Sequence, residues 1–215
     1  WSSPELGLML PESFIPIAEK IRLIIPIGEW ILRQACLQFQ QLLRAGHADL
    51  MLCVNISGIQ LLAAGFIPSL QRIIEETGID PRALELEITE SMLLPYMNQA
   101  ISIIDSIKEM GVKIALDDFG TGYSSLSIIQ KLPLDTLKIG GSLFSSASKT
   151  HVAEAVIKLA HQLGLRVAAE NVEKMQQLNS LKQSGCDYLQ GYLLSRPLKA
   201  EAVTDLLTAS QAGAK

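Results

Sequence analysis

A chain of 215 residues, 48% of them hydrophobic and 19% charged, suits one domain or one large barrel with a substantial core. The formal net charge of -4 excludes a protein that tracks nucleic-acid polymers, because no basic stripe supplies the counterion-release term. A small anionic ligand stays compatible with that charge if local lysines or metal ions neutralise it.

Three widely spaced cysteines, Cys36, Cys53 and Cys186, form no CxxC pair and read as reduced thiols, which implies a cytoplasmic setting rather than a disulfide framework or a zinc site. His47, His151 and His161 do not cluster and read as surface or structural residues.

After an opening loop, "PESFIPIAEKIRLIIPIGEWILRQACLQFQQLLRAG" predicts helical segments broken at Pro16 and Pro26, ending at Gly46. Six β/α units follow in strict alternation. Their strands are predicted in "LMLCVNIS", "ALELEITE", "VKIALDDF", "TLKIGG", "RVAAENV" and "YLQGYLL". The helices between them stop at Gly78, Gly111, Gly164 and Gly185, where a left-handed residue ends a helix cheaply. The uncharged run at 50–70 is long enough to span a bilayer, but Asn55, Ser57, Gly58, Gln60 and Pro68 interrupt it. It reads as a buried strand, a turn and an amphipathic helix, with no membrane contact by this domain. The expected domain covers residues 1–210, with 211–215 as a frayed tail.

Strict alternation predicts a mainly parallel sheet, either open and doubly wound or closed into a barrel. The polar residues discriminate. Each strand carries one near its C-terminal end: Asn55, then Glu87 with Glu90, then Asp117 with Asp118, then Lys138, Glu170 and Gln190. An open sheet needs such residues from two or three strands at one switch point, whereas a barrel brings every strand end to one mouth. The predicted fold is therefore a TIM-like (β/α) barrel, truncated at its N-terminus because six strands fall short of eight.

A shared mouth would crowd Glu87, Asp117, Asp118 and Glu170 together. Two carboxylates 4 Å apart repel by roughly 4 kcal/mol at an effective dielectric near 20. Cations relieve this, and an oxygen-rich set selects Mg²⁺ or Mn²⁺ above Zn²⁺. Adjacent aspartates suit a two-metal site, the usual apparatus for in-line displacement at a phosphodiester. Lys138 would then stabilise a phosphate oxygen or position the attacking water. Singly, each residue has a plainer explanation: Asn55 as a turn residue, Asp117 and Asp118 as a loop start, Gln190 as a structural hydrogen-bonding group, and Glu87 lining the barrel with Glu85. Their common position at the ends of successive strands is what favours a site.

The segments "PELGLMLPESFIPIAE", "VNIS", "LELEITES", "IALDDFGTGYSSLS", "LPLDTLKI", "AAENVE" and "GCDYLQGYLLSRPL" run in order from residue 4 to about 198. In them the chain resembles the EAL domain, the cyclic-di-GMP phosphodiesterase module of bacterial signalling proteins. The resemblance implies a TIM-like barrel that hydrolyses one phosphodiester bond of cyclic di-GMP to linear pGpG with two Mg²⁺ or Mn²⁺ ions. It implies metal-binding roles for Asn55, Glu87, Asp117, Asp118 and Glu170, with Asp118 also activating water. It implies a catalytic role for Lys138, a substrate-binding role for Gln190 and Lys138, and a loop-anchoring role for Glu90 and Glu173. The loop after Asp118 is associated in the family with dimerisation, which makes a homodimer the expected assembly. Sensory or GGDEF-type domains are the expected neighbours in a parent protein, which could itself be membrane-anchored while this domain stays cytoplasmic.

Three departures stand out. The name-giving Glu-Ala-Leu segment, with one metal ligand, is expected just before Trp1, and the resemblance implies reduced or absent turnover without it. The family's acidic residue after "LKI" is replaced by Gly140, followed by Gly141. Asn171 stands where "AE-x-VE" usually has glycine, a mild change because Asn tolerates left-handed backbone. These departures keep a second reading open, a degenerate domain that binds cyclic di-GMP as a receptor or regulatory module without hydrolysing it.

Overall fold

The computed structural model describes residues 1–93, 96–120, 126–144 and 147–213. The opening segment is a small antiparallel hairpin, β1 (Ser2–Ser3) with β2 (Gly7–Leu8), where a loop is expected from sequence. Helix α1 (Pro11–Lys20) starts on Pro11, whose missing N–H costs nothing at a first helical position. The expected break at Pro16 is not there, since Pro16 lies inside α1. Nor does Pro26 break a helix. It lies in the first turn of α2 (Ile24–Arg44), where backbone N–H groups have no partner within the helix. The chain turns instead at Arg22, whose φ of 60° is left-handed.

The alternation then appears as expected. Strand β3 (Leu52–Asn55) leads to α3 (Gly58–Leu61) and α4 (Phe66–Thr77). Strand β4 (Leu84–Thr89) leads to α5 (Glu90–Leu93) and α6 (Met97–Glu109). Strand β5 (Lys113–Phe119) precedes α7 (Leu126–Lys131), and β6 (Thr136–Ile139) precedes α8 (Ala147–Gln162). Strand β7 (Arg166–Ala169) precedes α9 (Met175–Gln183), and β8 (Tyr188–Leu189) precedes α10 (Ala200–Gly213). Helix α10 thus runs past residue 211. The run at 50–70 divides into β3, α3 and the start of α4, and no described helix is long and apolar enough to cross a membrane.

The six strands β3 to β8 lie in sequence order and every neighbouring pair is parallel. An order that never reverses has no switch point, and the sheet curls into a half-barrel with its helices outside. Period-two alternation gives each strand two chemically different faces. Leu84, Leu86, Ile88, Ile114, Leu116, Leu137, Ile139 and Val167 are buried in one apolar cluster with Leu70, Ile73, Ile104, Ile107 and Ile157 of the helices. Each such side chain contributes roughly 1.5–3 kcal/mol on burial. The opposite face carries Glu85, Glu87, Asp117, Thr136 and Lys138, all buried.

Two aspartates fasten the strand starts in the same way. Asp135 Oδ2 accepts from the Ile114 N–H at 2.8 Å and pairs with Lys108 of α6 at 2.5 Å. Asp187 Oδ2 accepts from the Val167 N–H at 2.7 Å and lies 2.8 Å from His161 Nε2 of α8. Each ties the start of one strand to the segment entering the next, and each draws a basic side chain from the preceding helix. His161 is therefore structural, and His47 is buried.

Candidate active site at the strand ends

Parallel strands in register carry their C-terminal residues to one rim. Asn55 pairs with Glu87, and Thr89 with Asp117, along the backbone. Lys138 reaches from β6 into the middle of the resulting group. Its Nζ lies 2.6 Å from Glu87 Oε2, 2.6 Å from Glu170 Oε1 and 3.5 Å from Asp117 Oδ1.

Adjacent residues on a regular strand point to opposite faces, so Asp117 and Asp118 should not share a site. They do because β5 breaks register with β6 between Leu116 and Phe119. Asp118 has φ 58° there, and its N–H donates to Asp117 Oδ1 at 2.8 Å. Aspartate adopts left-handed backbone more readily than most residues, because its short side chain bonds locally. Asn171, directly after Glu170, has φ 59°. Each acidic segment thus carries a left-handed residue, Asp118 inside β5 and Asn171 just after β7. Asp117, Asp118 and Glu170 each offer a carboxylate oxygen, and the three oxygens lie within 4.8 Å of one another.

The charges are unbalanced. Four carboxylates (Glu87, Asp117, Asp118 and Glu170) surround one ammonium, a formal charge of -3. Burial pushes the Glu87 carboxyl upward against the pull of Lys138. Glu170 is raised by burial and by the two aspartates, again opposed by Lys138. Asp118, although exposed, is raised by partial desolvation and by Asp117. Burial alone would lower the Lys138 ammonium, but Glu87, Glu170 and Asp117 together hold it above its ordinary value. A hard divalent cation fits this donor set, since it is all oxygen, carries surplus negative charge and holds a ready three-carboxylate cluster.

The remaining sequence candidates sit at strand ends or in the segments that follow them. Asn55 is exposed at the rim beside Glu87. Gln190 is exposed, and its backbone clasps the segment on both sides of Glu170, donating to Ala169 O at 2.8 Å and accepting from Val172 N–H at 3.0 Å. Glu173 is exposed, and its N–H donates to Gln177 Oε1 at 2.9 Å. Glu90 is buried at the start of α5. The loop it is expected to anchor includes residues 121–125, which lie outside the described residues. Gly140 is buried two residues past Lys138.

Of one polar row the sequence reading caught only Glu85. Glu85 and Thr136 stand two residues before Glu87 and Lys138 on their strands, and Arg166 is the register partner of Thr136. Thr136 Oγ1 donates to Glu85 Oε2 at 2.6 Å, Arg166 comes within 3.8 Å of the same oxygen, and Arg166 also donates to the Tyr188 hydroxyl at 2.7 Å. Cys53, exposed on β3, faces this row too, with its thiol 3.7 Å from Glu85 Oε1.

Comparison with known proteins agrees with this geometry. Residues 1–197 match the EAL domain family. The chain is 39% identical over 213 residues to the cyclic di-GMP phosphodiesterase NbdA of Pseudomonas aeruginosa, covering 97% of this chain and 27% of that protein. It is 40% identical over 205 residues to the bifunctional diguanylate cyclase/cyclic di-GMP phosphodiesterase MucR of the same organism, covering 94% of this chain and 30% of that protein. It therefore spans under a third of the length of either. Its fold is similar to the solved structure of the MucR phosphodiesterase in complex with c-di-GMP (TM-score 0.89, 39% identity, 94% of this chain and 84% of that one). It is also similar to the EAL enzyme Bd1971 in a cAMP- and cyclic-di-GMP-bound form (TM-score 0.89, 32% identity, 96% of this chain and 58% of that one). The curled parallel sheet, the acidic rim and a match over nearly the whole length leave one assignment: the chain belongs to the EAL domain family.

Proposed function

We propose that this chain is a phosphodiesterase domain that hydrolyses one phosphodiester bond of cyclic di-GMP to linear pGpG. The observation that carries the reading is the cluster of Asp117, Asp118 and Glu170 wrapped around the Lys138 ammonium at the strand ends. Asp117, Asp118, Glu170, Glu87 and Asn55 would hold two Mg²⁺ or Mn²⁺ ions. When bound, such ions supply Lewis-acid polarisation of the phosphate and acidify a coordinated water.

The chain's own residues account for the rest. Asp118 is exposed and its carboxyl is raised, which suits a base that takes a proton from the attacking water. The water oxygen bonds to phosphorus, the bond from phosphorus to the ribose 3′ oxygen breaks, and that oxygen takes up a proton. Lys138 is buried and charged, and donates to the phosphate oxygen on which negative charge grows. Gln190, exposed at the end of β8, contacts the nucleotide. The three free thiols support a reducing, cytoplasmic setting. The greater length of the relatives supports additional domains in the parent, of sensory or GGDEF type.

The test is incubation of the full-length parent protein with cyclic di-GMP and Mn²⁺, with pGpG separated by chromatography. The expected result is pGpG formation that EDTA abolishes and Asp117→Asn removes. One observation favours a second reading, a non-catalytic receptor: Gly140 puts no carboxylate two residues past Lys138. Tight nucleotide binding without pGpG would establish the receptor and overturn the enzyme.

A further inference from the structure

Lys138 and Glu87 meet across an intervening strand, since β4 and β6 both flank β5. Neighbouring strands lie about 4.8 Å apart, so residues on β4 and β6 are separated by roughly twice that and meet only through extended side chains. A second contact makes the same crossing. Thr136, two residues before Lys138, donates to Glu85, two residues before Glu87, at 2.6 Å. The two contacts are parallel rungs on the same pair of strands. Between them β5 presents Ala115, which pairs with Glu87 on one side and Thr136 on the other. Its methyl group leaves room for both crossings.

Resting on the metal-dependent phosphodiesterase reading, we infer that Thr136 and Glu85 are positioning residues whose hydrogen bond fixes the β4-to-β6 spacing at which Lys138 and Glu87 meet. The lower rung is better shielded than the upper one. Thr136 is 1% exposed and Glu85 4% exposed, and Arg166 stands beside the carboxylate they share. A hydroxyl donating to a carboxylate in such surroundings is a strong, directional tie. It places two atoms of the acidic group, Lys138 Nζ and Glu87 Oε2, without touching metal or substrate.

The test compares Thr136→Val, which keeps the shape and loses the donor, with Thr136→Ser, which restores it. Mn²⁺ affinity is measured by electron paramagnetic resonance, and hydrolysis of cyclic di-GMP is split into kcat and KM. Partners behind metal ligands typically alter metal affinity by about 10-fold or more, so Thr136→Val is expected to bind Mn²⁺ about 10-fold more weakly. Its kcat should fall by a similar factor while KM for cyclic di-GMP stays within about twofold, and Thr136→Ser should recover both. A folded Thr136→Val with wild-type Mn²⁺ affinity, or a Thr136→Ser that recovers nothing, overturns the inference. If Thr136→Val does not fold, Glu85→Gln carries the test. Its neutral acceptor weakens the rung, so Mn²⁺ affinity should drop about threefold, and an unchanged value overturns the inference. If the full-length parent protein binds Mn²⁺ but forms no pGpG, the phosphodiesterase reading fails while the Mn²⁺ comparison still decides the role of the rung.

Discussion

The Lys138 ammonium on β6 stands 2.6 Å from the Glu87 carboxylate on β4. The same nitrogen also contacts Glu170 and Asp117, so one buried cation serves three buried or half-buried acids. Removing it leaves those acids facing one another in a poorly solvated space. Lys138→Met is therefore expected to cost about 3–5 kcal/mol of stability in EDTA at neutral pH. Mn²⁺ can take over part of the lost charge, so added metal should raise the melting temperature more in Lys138→Met than in wild type. Hydrolysis should fall by about 10²–10³, since a donor to the developing charge is gone. Calorimetry with and without Mn²⁺ checks the first claim, and an equal metal-induced shift in both proteins would refute it.

The acid cluster also sets a direction for pH dependence. Glu87 and Glu170 have folded values raised above their ordinary ones. A raised acid contributes stability that is fully present below the unfolded value and is lost as pH rises through the folded value. Metal-free protein should therefore lose stability from this cluster as pH climbs out of the ordinary carboxylate range. Asp187, held low in spite of its burial by His161 and the Val167 N–H, acts in the opposite sense at more acidic pH. The Glu87 part is isolated by Glu87→Gln, which cannot ionise. In EDTA, the melting temperature of Glu87→Gln relative to wild type should rise between pH 5 and pH 8. With saturating Mn²⁺ the trend should reverse, because ligation requires the ionised carboxylate. A flat difference in EDTA would show that Lys138 fully offsets the burial of Glu87.

Much of this site was legible before any coordinates. Hydrophobic periodicity and glycine stops gave six β/α units, and polar residues at successive strand ends implied one rim. What stayed hidden depended on backbone detail or on distance across the sheet. "DD" does not reveal that a register break and a left-handed Asp118 bring both carboxylates to one side. Glu85 and Thr136 are 51 residues apart and touch only because β4 and β6 flank the same strand. Pro26 misled for a simple reason: proline breaks a helix where an N–H is needed, and Pro26 lies in a first turn. Pro16, in the second turn of α1, is carried without ending the helix, and nothing in the structure explains why. Asn171 does adopt the left-handed backbone that makes asparagine a mild replacement for glycine, at φ 59°.

Gly140 is the departure most open to repair. It follows Lys138 by two residues, directly after β6 ends at Ile139, and a side chain there that keeps the alternation of the strand would point toward the same face. Gly140→Asp would add a fifth carboxylate to a group that already carries excess negative charge. In EDTA the variant should be less stable than wild type by about 1–3 kcal/mol. With Mn²⁺ the order should invert, and metal affinity should rise by about 10-fold. Titration calorimetry with Mn²⁺ is the check. A variant destabilised in EDTA and no better at binding Mn²⁺ would mean that position 140 does not face the ions.

Gly141 and Asn171 form a coupled pair beside Glu170. A methyl group at position 141 would lie 3.2 Å from Asn171 Cβ, 3.5 Å from Asn171 O and 3.7 Å from Glu170 O. Only the first contact is tighter than ordinary packing, and it belongs to a side chain that glycine lacks. Gly141→Ala should therefore destabilise by about 1 kcal/mol. Asn171→Gly, at a backbone angle that glycine adopts freely, should change stability by less than about 0.5 kcal/mol. In the double variant the clash is gone, leaving a favourable coupling of about 0.5–1 kcal/mol. Because Glu170 precedes Asn171, the single Gly141→Ala substitution should also weaken Mn²⁺ binding, and the double variant should recover it. Urea unfolding of the four proteins measures the coupling. Strict additivity would show that the Gly141 contact relaxes without moving Asn171, and Glu170 would then keep its place in all four.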